Sequence, residues 1–141
     1  MKKQIFIGMT LICLCTIVIA KNKIPENVIK AFNQKFTGVS DVEWGKESTI
    51  EYEVEFIMNG HKHSANFSST GEWLETESPI SFEELPDKVK MAFKSGHDGA
   101  NIKAISIIEI AANNIQYEIE LKKFLRTVDL FYSAEGIPVK E

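Results

Sequence analysis

His61 and His63 stand two residues apart, and Glu51, Glu53 and Glu55 run ahead of them at the same spacing. Residues two apart on a strand share a face, so the two imidazoles would point the same way, as a strand offers a pair of ligands to zinc or copper. A third ligand would have to come from a neighbouring strand, with Glu51 or Glu53 as candidates. Yet His63 has the parity of Ala65 and Phe67, a core-facing set, and the pair begins just after a hairpin signal. Ordinary strand-end histidines fit better than a metal centre. The glutamates could do acid–base work as a carboxylate pair. Glu118 and Glu120 repeat the pattern, however, and a catalytic pair rarely needs duplicating. Alternating carboxylates are what the wet face of a half-covered sheet requires. Lys62, Lys122, Lys123 and Arg126 are their natural cross-strand partners. The chain has no glycine-rich phosphate loop, nucleophile elbow or zinc-protease helix. The sequence therefore offers no catalytic residue and requires no cofactor.

The elements that hold these residues are stated twice. Ile24-Pro25-Glu26-Asn27-Val28-Ile29-Lys30-Ala31-Phe32 is matched 61 residues later by Leu85-Pro86-Asp87-Lys88-Val89-Lys90-Met91-Ala92-Phe93. Tyr52-Glu53-Val54-Glu55-Phe56 and Phe67-Ser68-Ser69-Thr70-Gly71 are each matched 65 residues later. The second copy thus carries four extra residues between Gly99 and Tyr117. A self-match of this kind points to tandem units, 24–80 and 81–141, that form one compact domain. Each opens with a helix. Proline suits the first turn, and the acid after it suits the positive end of the helix dipole. Val28, Ala31, Phe32 and Phe36 fall on one helical face, as do Val89, Ala92 and Phe93. Gly38 ends the first helix, and Gly96 and Gly99 the second.

Four strands follow each helix. Val42 and Trp44 begin the first set. Then Tyr52, Val54, Phe56 and Met58 alternate with glutamates, Asn59-Gly60 turns the chain, and Ala65 and Phe67 point inward. Thr70-Gly71 turns again into Trp73–Glu77. In the second set, Ile102–Ala111 is followed by a turn at Ala112-Asn113-Asn114. Tyr117, Ile119 and Leu121 then alternate with polar residues, Lys122-Lys123 marks a turn, and Leu125–Tyr132 and Ile137–Lys140 complete the set. Fold class is α+β, with helices covering one sheet face only. In Ile102–Ile108 apolar residues occupy both parities. Ile105 and Ile107 would then project onto the uncovered face, and Phe131 does likewise, since Val128, Leu130 and Tyr132 align with the inward set. Either the two units pack together there, or the residues form an exposed patch of the kind that marks an interface. Trp73, beside Leu74 of opposite parity, is a further candidate anchor for a protein partner.

The first 20 residues read as an export signal. Lys2 and Lys3 precede an apolar run, and Val18-Ile19-Ala20 suits cleavage after Ala20. Cys13 and Cys15 lie inside this leader and neither follows the small residue that lipidation requires, so the exported chain has no cysteine and no disulfide. Without the two leader lysines the net charge moves from −4 to −6. That disfavours nucleic acid or an anionic membrane surface as the partner of the whole molecule. A periplasmic or secreted protein with no membrane anchor after cleavage is expected.

The repeated Ile/Leu-Pro-acid-x-Val-x-x-Ala-Phe opening, Val42-Glu43-Trp44, Tyr52–Phe56 and Phe67…Gly71-Glu72-Trp73-Leu74 together resemble the secreted PepSY-like proteins of Bacteroidetes, a β-lactamase-inhibitor-like family. The resemblance covers residues 24 to 140. It implies tandem helix-plus-four-strand units whose sheets join into one curved layer, helices on one face. It also implies a sheet hollow of the kind that the named inhibitor uses to grip an enzyme, although this chain lacks the disulfides expected of that inhibitor. Fold likeness does not transfer an activity. The reading is a non-enzymatic exported binding module that holds an unidentified protein, such as an envelope peptidase or hydrolase. Trp73, Ile105, Ile107 and Phe131 are its expected contacts. The alternative is a small-ligand or metal-binding protein using His61 and His63.

Overall fold

A computed structural model describes residues 23–111 and 113–140. The leader with Cys13 and Cys15, and Ala112 of the turn before the sixth strand, lie outside the described residues. Helix α1 spans Glu26–Lys35 and is followed by strands β1 (Ser40–Lys46), β2 (Glu51–Met58), β3 (His61–Ser68) and β4 (Trp73–Pro79). A 3-10 turn at Phe82–Glu84 leads to α2 (Asp87–His97). Then come β5 (Ile102–Ile110), β6 (Asn114–Lys123), β7 (Arg126–Ser133) and β8 (Pro138–Val139). The eight strands lie side by side in chain order, each antiparallel to the next. The order helix, then four strands, occurs twice.

Each helix is fixed by a two-residue hydrophobic spine at i and i+4. Val28 and Phe32 of α1 are buried, as are Val89 and Phe93 of α2. Val28 and Phe32 pack on Tyr52, Val54, Phe56, Ala65 and Phe67. Val89 and Phe93 pack with Leu85 on Ile105, Tyr117, Ile119, Leu121 and Tyr132. Strand register places both sets on one side. Val54 pairs with Ala65, Ala65 with Thr76, Ser78 with Ile107, and Ile107 with Tyr117. Both helices therefore cover the same face, and among the described residues the other face carries no helix. The link from β4 to α2 is held by a capping box in which Ser81 N–H and Oγ–H both donate to Glu84 Oε2, at 2.7 and 2.8 Å. These bonds hold the Glu84 carboxyl below its ordinary range.

Turn chemistry sets the strand ends. Asn59 and Gly60 both take positive φ, 53° and 80°, the signature of a tight hairpin whose twist suits its strands. Gly71 and Gly136 have a second role, because each sits against the first turn of a helix. A Cβ on Gly71 would lie 3.0 Å from the Asn27 carbonyl oxygen, and one on Gly136 would lie 2.4 Å from that of Lys88. These turns are where the sheet edge touches the helix backbone.

Two bulges decide which side chains face which way, and both correct the sequence reading. The β5–β6 register shifts between Ile102 and Ala104. One extra residue there reverses parity downstream. Ile105 is then directed to the helix side, where it is 8% exposed, and Ile107 packs half-buried against the same core. Neither lies on the uncovered face. The β3–β4 register shifts between Asn66 and Phe67, which places Trp73 opposite Phe67, also on the helix side. Phe131, opposite Glu118, lies on the uncovered face as the alternation predicts.

Candidate binding face

The uncovered face is built from the residues that the core leaves over. Across its middle runs the row Glu43, Glu55, Ser64, Glu77, Ile108, Gln116 and Ser133, each paired with the next on the neighbouring strand. A second row holds Glu53, Asn66, Glu75 and Ile110. A third holds Pro79, Ser106, Glu118, Phe131 and Val139. Ile108, Ile110 and Phe131 are partly exposed. The face is thus acidic, with apolar side chains standing among the carboxylates.

Its centre is a carboxyl pair. Glu77 on β4 and Glu118 on β6 flank β5 and hydrogen-bond to each other. Ser106, directly opposite Glu118, is small enough to leave room for that bridge and is itself only 6% exposed. Two carboxylates cannot bond unless one holds a proton. Burial, then the charges of Glu77, Asp129 and Glu120, push the Glu118 carboxyl up to about 8. Glu53 is raised too, first by burial and then by Glu55 and Glu47. Among the described residues the cations stand at the margins: Lys62 pairs with Glu55 at 2.8 Å and Lys103 with Glu120 at 2.7 Å. Asn66 Nδ2–H donates to Glu75 Oε1 at 3.1 Å.

The raised carboxyl gives a signed prediction. Between the ordinary value of 4.5 and about 8 the folded chain holds a proton on Glu118 that the unfolded chain has lost. This contribution is therefore largest at acid pH and is lost as pH rises through that window. Glu118→Gln keeps a hydrogen-bonding side chain without the charge. On a face open to solvent, we expect it to stabilise the fold by about 1–2 kcal/mol at pH 9 and by almost nothing at pH 5. Urea unfolding of both proteins at the two pH values reads this directly. An equal effect at both would show that Glu118 carries no shared proton.

The other sequence candidates lie elsewhere. Trp73 sits beneath α1, with Lys35 Nζ 3.6 Å from its ring and its indole N–H donating to Thr76 Oγ1 at 2.8 Å. His63 stacks on Phe56, and both of its ring nitrogens are engaged. Nε2–H donates to the Met58 carbonyl oxygen at 3.2 Å, which leaves Nδ1 to accept from the Ser78 hydroxyl at 3.0 Å. His61 is exposed at the strand start. Among the described residues no three His, Cys, Asp or Glu side chains are placed to hold a metal ion. Of the four partner contacts expected from sequence, only Phe131 lies on the open face. Ile108 and Ile110 are legible only once the β5 bulge is known, and the side taken by Glu77 only once the β3–β4 register shift is known.

A single antiparallel sheet with two helices on one side and a bare second side defines the β-lactamase-inhibitor-like class. The family described as "Putative beta-lactamase-inhibitor-like, PepSY-like" matches residues 50–139, and the chain belongs to it. Solved structures of the same fold come from Bacteroides. One, described as "putative periplasmic proteins" of Bacteroides eggerthii, superposes with a TM-score of 0.74 at 17% identity over 82% of this chain and 86% of its own. A DUF2874 family protein of Bacteroides ovatus gives 0.71 at 25% identity over 82% and 84%. A BLIP-like protein of Bacteroides fragilis gives 0.68 at 19% over 82% and 83%. No curated protein matches the chain in sequence. Among the described residues no helix is long and apolar enough to cross a membrane.

Proposed function

We propose that the protein is a non-enzymatic, exported binding module that grips a protein partner, of the kind of an envelope peptidase or hydrolase, on its uncovered sheet face. One observation carries the reading: partly exposed Ile108, Ile110 and Phe131 stand among carboxylates on the side of the sheet that neither helix covers. Apolar side chains ringed by polar ones are the anatomy of an interface centre and rim. The acidic ring selects a partner with basic residues around an apolar prominence, and complementary charge speeds their encounter. The family's inhibitor-like character and its periplasmic relative support the same placement and the non-catalytic role. Tandem helix-plus-four-strand units account for a face this broad in a short chain.

The test is capture from periplasmic extract with three baits: the wild type, an open-face variant (Ile108→Lys with Phe131→Glu), and a helix-side surface variant (Ile29→Lys). The side chains changed on the sheet are partly buried, so melting temperature checks that the fold survives. We expect one enriched envelope protein with the wild type and the Ile29 variant, and at least about a tenfold loss with the open-face variant. Equal capture by all three folded baits would move the binding site off this face.

A further inference from the structure

The tip of the β6–β7 hairpin does not follow from the fold or from the binding face. Lys123 pairs with Arg126, leaving a two-residue loop of Phe124 and Leu125. Phe124 is 98% exposed and Leu125 88%, the two most exposed large apolar side chains described. Neither takes a positive φ. A two-residue loop needs no such side chains, since Asn and Gly serve it best. The β2–β3 hairpin uses just those, Asn59-Gly60, and residues 124 and 125 stand 65 positions after them, the offset of the strand matches. The turn has therefore taken on Phe-Leu at the cost of its own best chemistry. Lys122, Lys123 and Arg126 flank the loop, all exposed, and residues 122–126 include no acid.

We infer that this hairpin tip is a membrane-contact finger that seats Phe124 and Leu125 at the interface of an anionic phospholipid surface, with Lys122, Lys123 and Arg126 on the headgroups. Apolar side chains at a tip with basic residues behind them match the layering of a bilayer interface, apolar inside and anionic outside. The acidity of the whole chain does not oppose this. Glu118 lies six residues back from Phe124, roughly 20 Å along an extended strand, and the Debye length at physiological salt is about 8 Å. Glu120 and Asp129, opposite each other on β6 and β7, are nearer the tip, and Lys103 pairs with Glu120 there at 2.7 Å, so three cations at the tip and Lys103 behind it face two acids. A finger at the end of the sheet leaves the uncovered face free, so this inference stands apart from the proposed partner site. The contact is peripheral and weak, since two side chains and three cations fall short of a permanent anchor.

The test is co-sedimentation of the export-processed protein with vesicles of phosphatidylglycerol and phosphatidylethanolamine in equal parts, and with pure phosphatidylcholine vesicles. The double variant Phe124→Asn, Leu125→Gly restores the turn chemistry of the other hairpin and should keep the fold. We expect the wild type to bind the anionic vesicles, the double variant to bind at least about tenfold less, and Lys122→Glu with Lys123→Glu to abolish the preference for anionic over neutral lipid. Wild type left in the supernatant would overturn the assignment. So would equal sedimentation of wild type and double variant, the outcome expected if another surface of the protein did the binding. Loss of a captured protein with no vesicle binding would mean the finger docks on a protein, and would overturn it as well.

Discussion

Gly136→Ala is expected to destabilise the fold by about 3 kcal/mol, whereas Gly60→Ala costs about 1 kcal/mol. Both glycines take a positive φ, 75° and 80°, so both substitutions carry the same left-handed backbone strain. They differ in what the new methyl meets. At Gly60 nothing lies within 4 Å. At Gly136 the methyl would stand 2.4 Å from the Lys88 carbonyl oxygen and 2.8 Å from its carbon, both backbone atoms of α2. Backbone in a packed helix cannot swing aside as a side-chain tip can. Either α2 lifts, loosening Val89 and Phe93 from the sheet, or the β7–β8 turn opens. Gly71→Ala, 3.0 Å from the Asn27 carbonyl oxygen, should fall between the two. Chemical denaturation of the three variants reads the order. Equal losses at positions 60 and 136 would show that backbone strain alone sets the cost and that the helix-to-turn contact is unimportant.

Phe32→Ala should cost more, about 4 kcal/mol. Phe32 is 2% exposed, and its ring stands 5.3–6.3 Å from those of Phe36, Trp44, Phe56 and Phe67, with edge-on contacts to the last three. Truncation removes the centre of that cluster. The helix backbone and the hydrogen-bonded strands hold the surrounding rings in place, so the cavity closes only in part. For a domain whose whole stability is on the order of 5–15 kcal/mol, such a loss takes a large share. Calorimetric melting checks it. Phe36→Ala should cost clearly less, because Phe36 lies at the helix end and is only partly buried. A loss at Phe32 no greater than at Phe36 would mean that the cluster has no centre.

The helices were legible because each carries a proline, an acid and a Val-x-x-x-Phe spine, signals that act within a few residues. The paired strands were legible because Tyr52, Val54 and Phe56, and Tyr117, Ile119 and Leu121, alternate with glutamates over an unbroken run. The orientation of β5 was not, since Ile102–Ile110 is apolar on both parities and a bulge near Lys103 leaves no mark in residue type. A one-residue insertion reverses every later side chain, so Ile105 and Ile107 moved to the core and Ile108 and Ile110 took their place outside. Trp73 moved for the same reason, by the bulge beside Phe67. The Glu77–Glu118 contact joins strands separated by β5, a spacing that no local pattern encodes. The Phe124-Leu125 tip was masked because Leu125 continues an apolar alternation and reads as strand.

The most direct test of the binding face uses isoleucine methyl resonances, because isoleucines happen to sample both sides of the molecule. Ile108 and Ile110 mark the open face, Ile119 the helix-side core, and Ile29 the outer surface of α1. On titration with the captured partner, the account predicts shifts or broadening at Ile108 and Ile110 and an unchanged Ile29 signal. Perturbation of Ile29 with Ile108 and Ile110 unmoved would place the partner on the helices and contradict it.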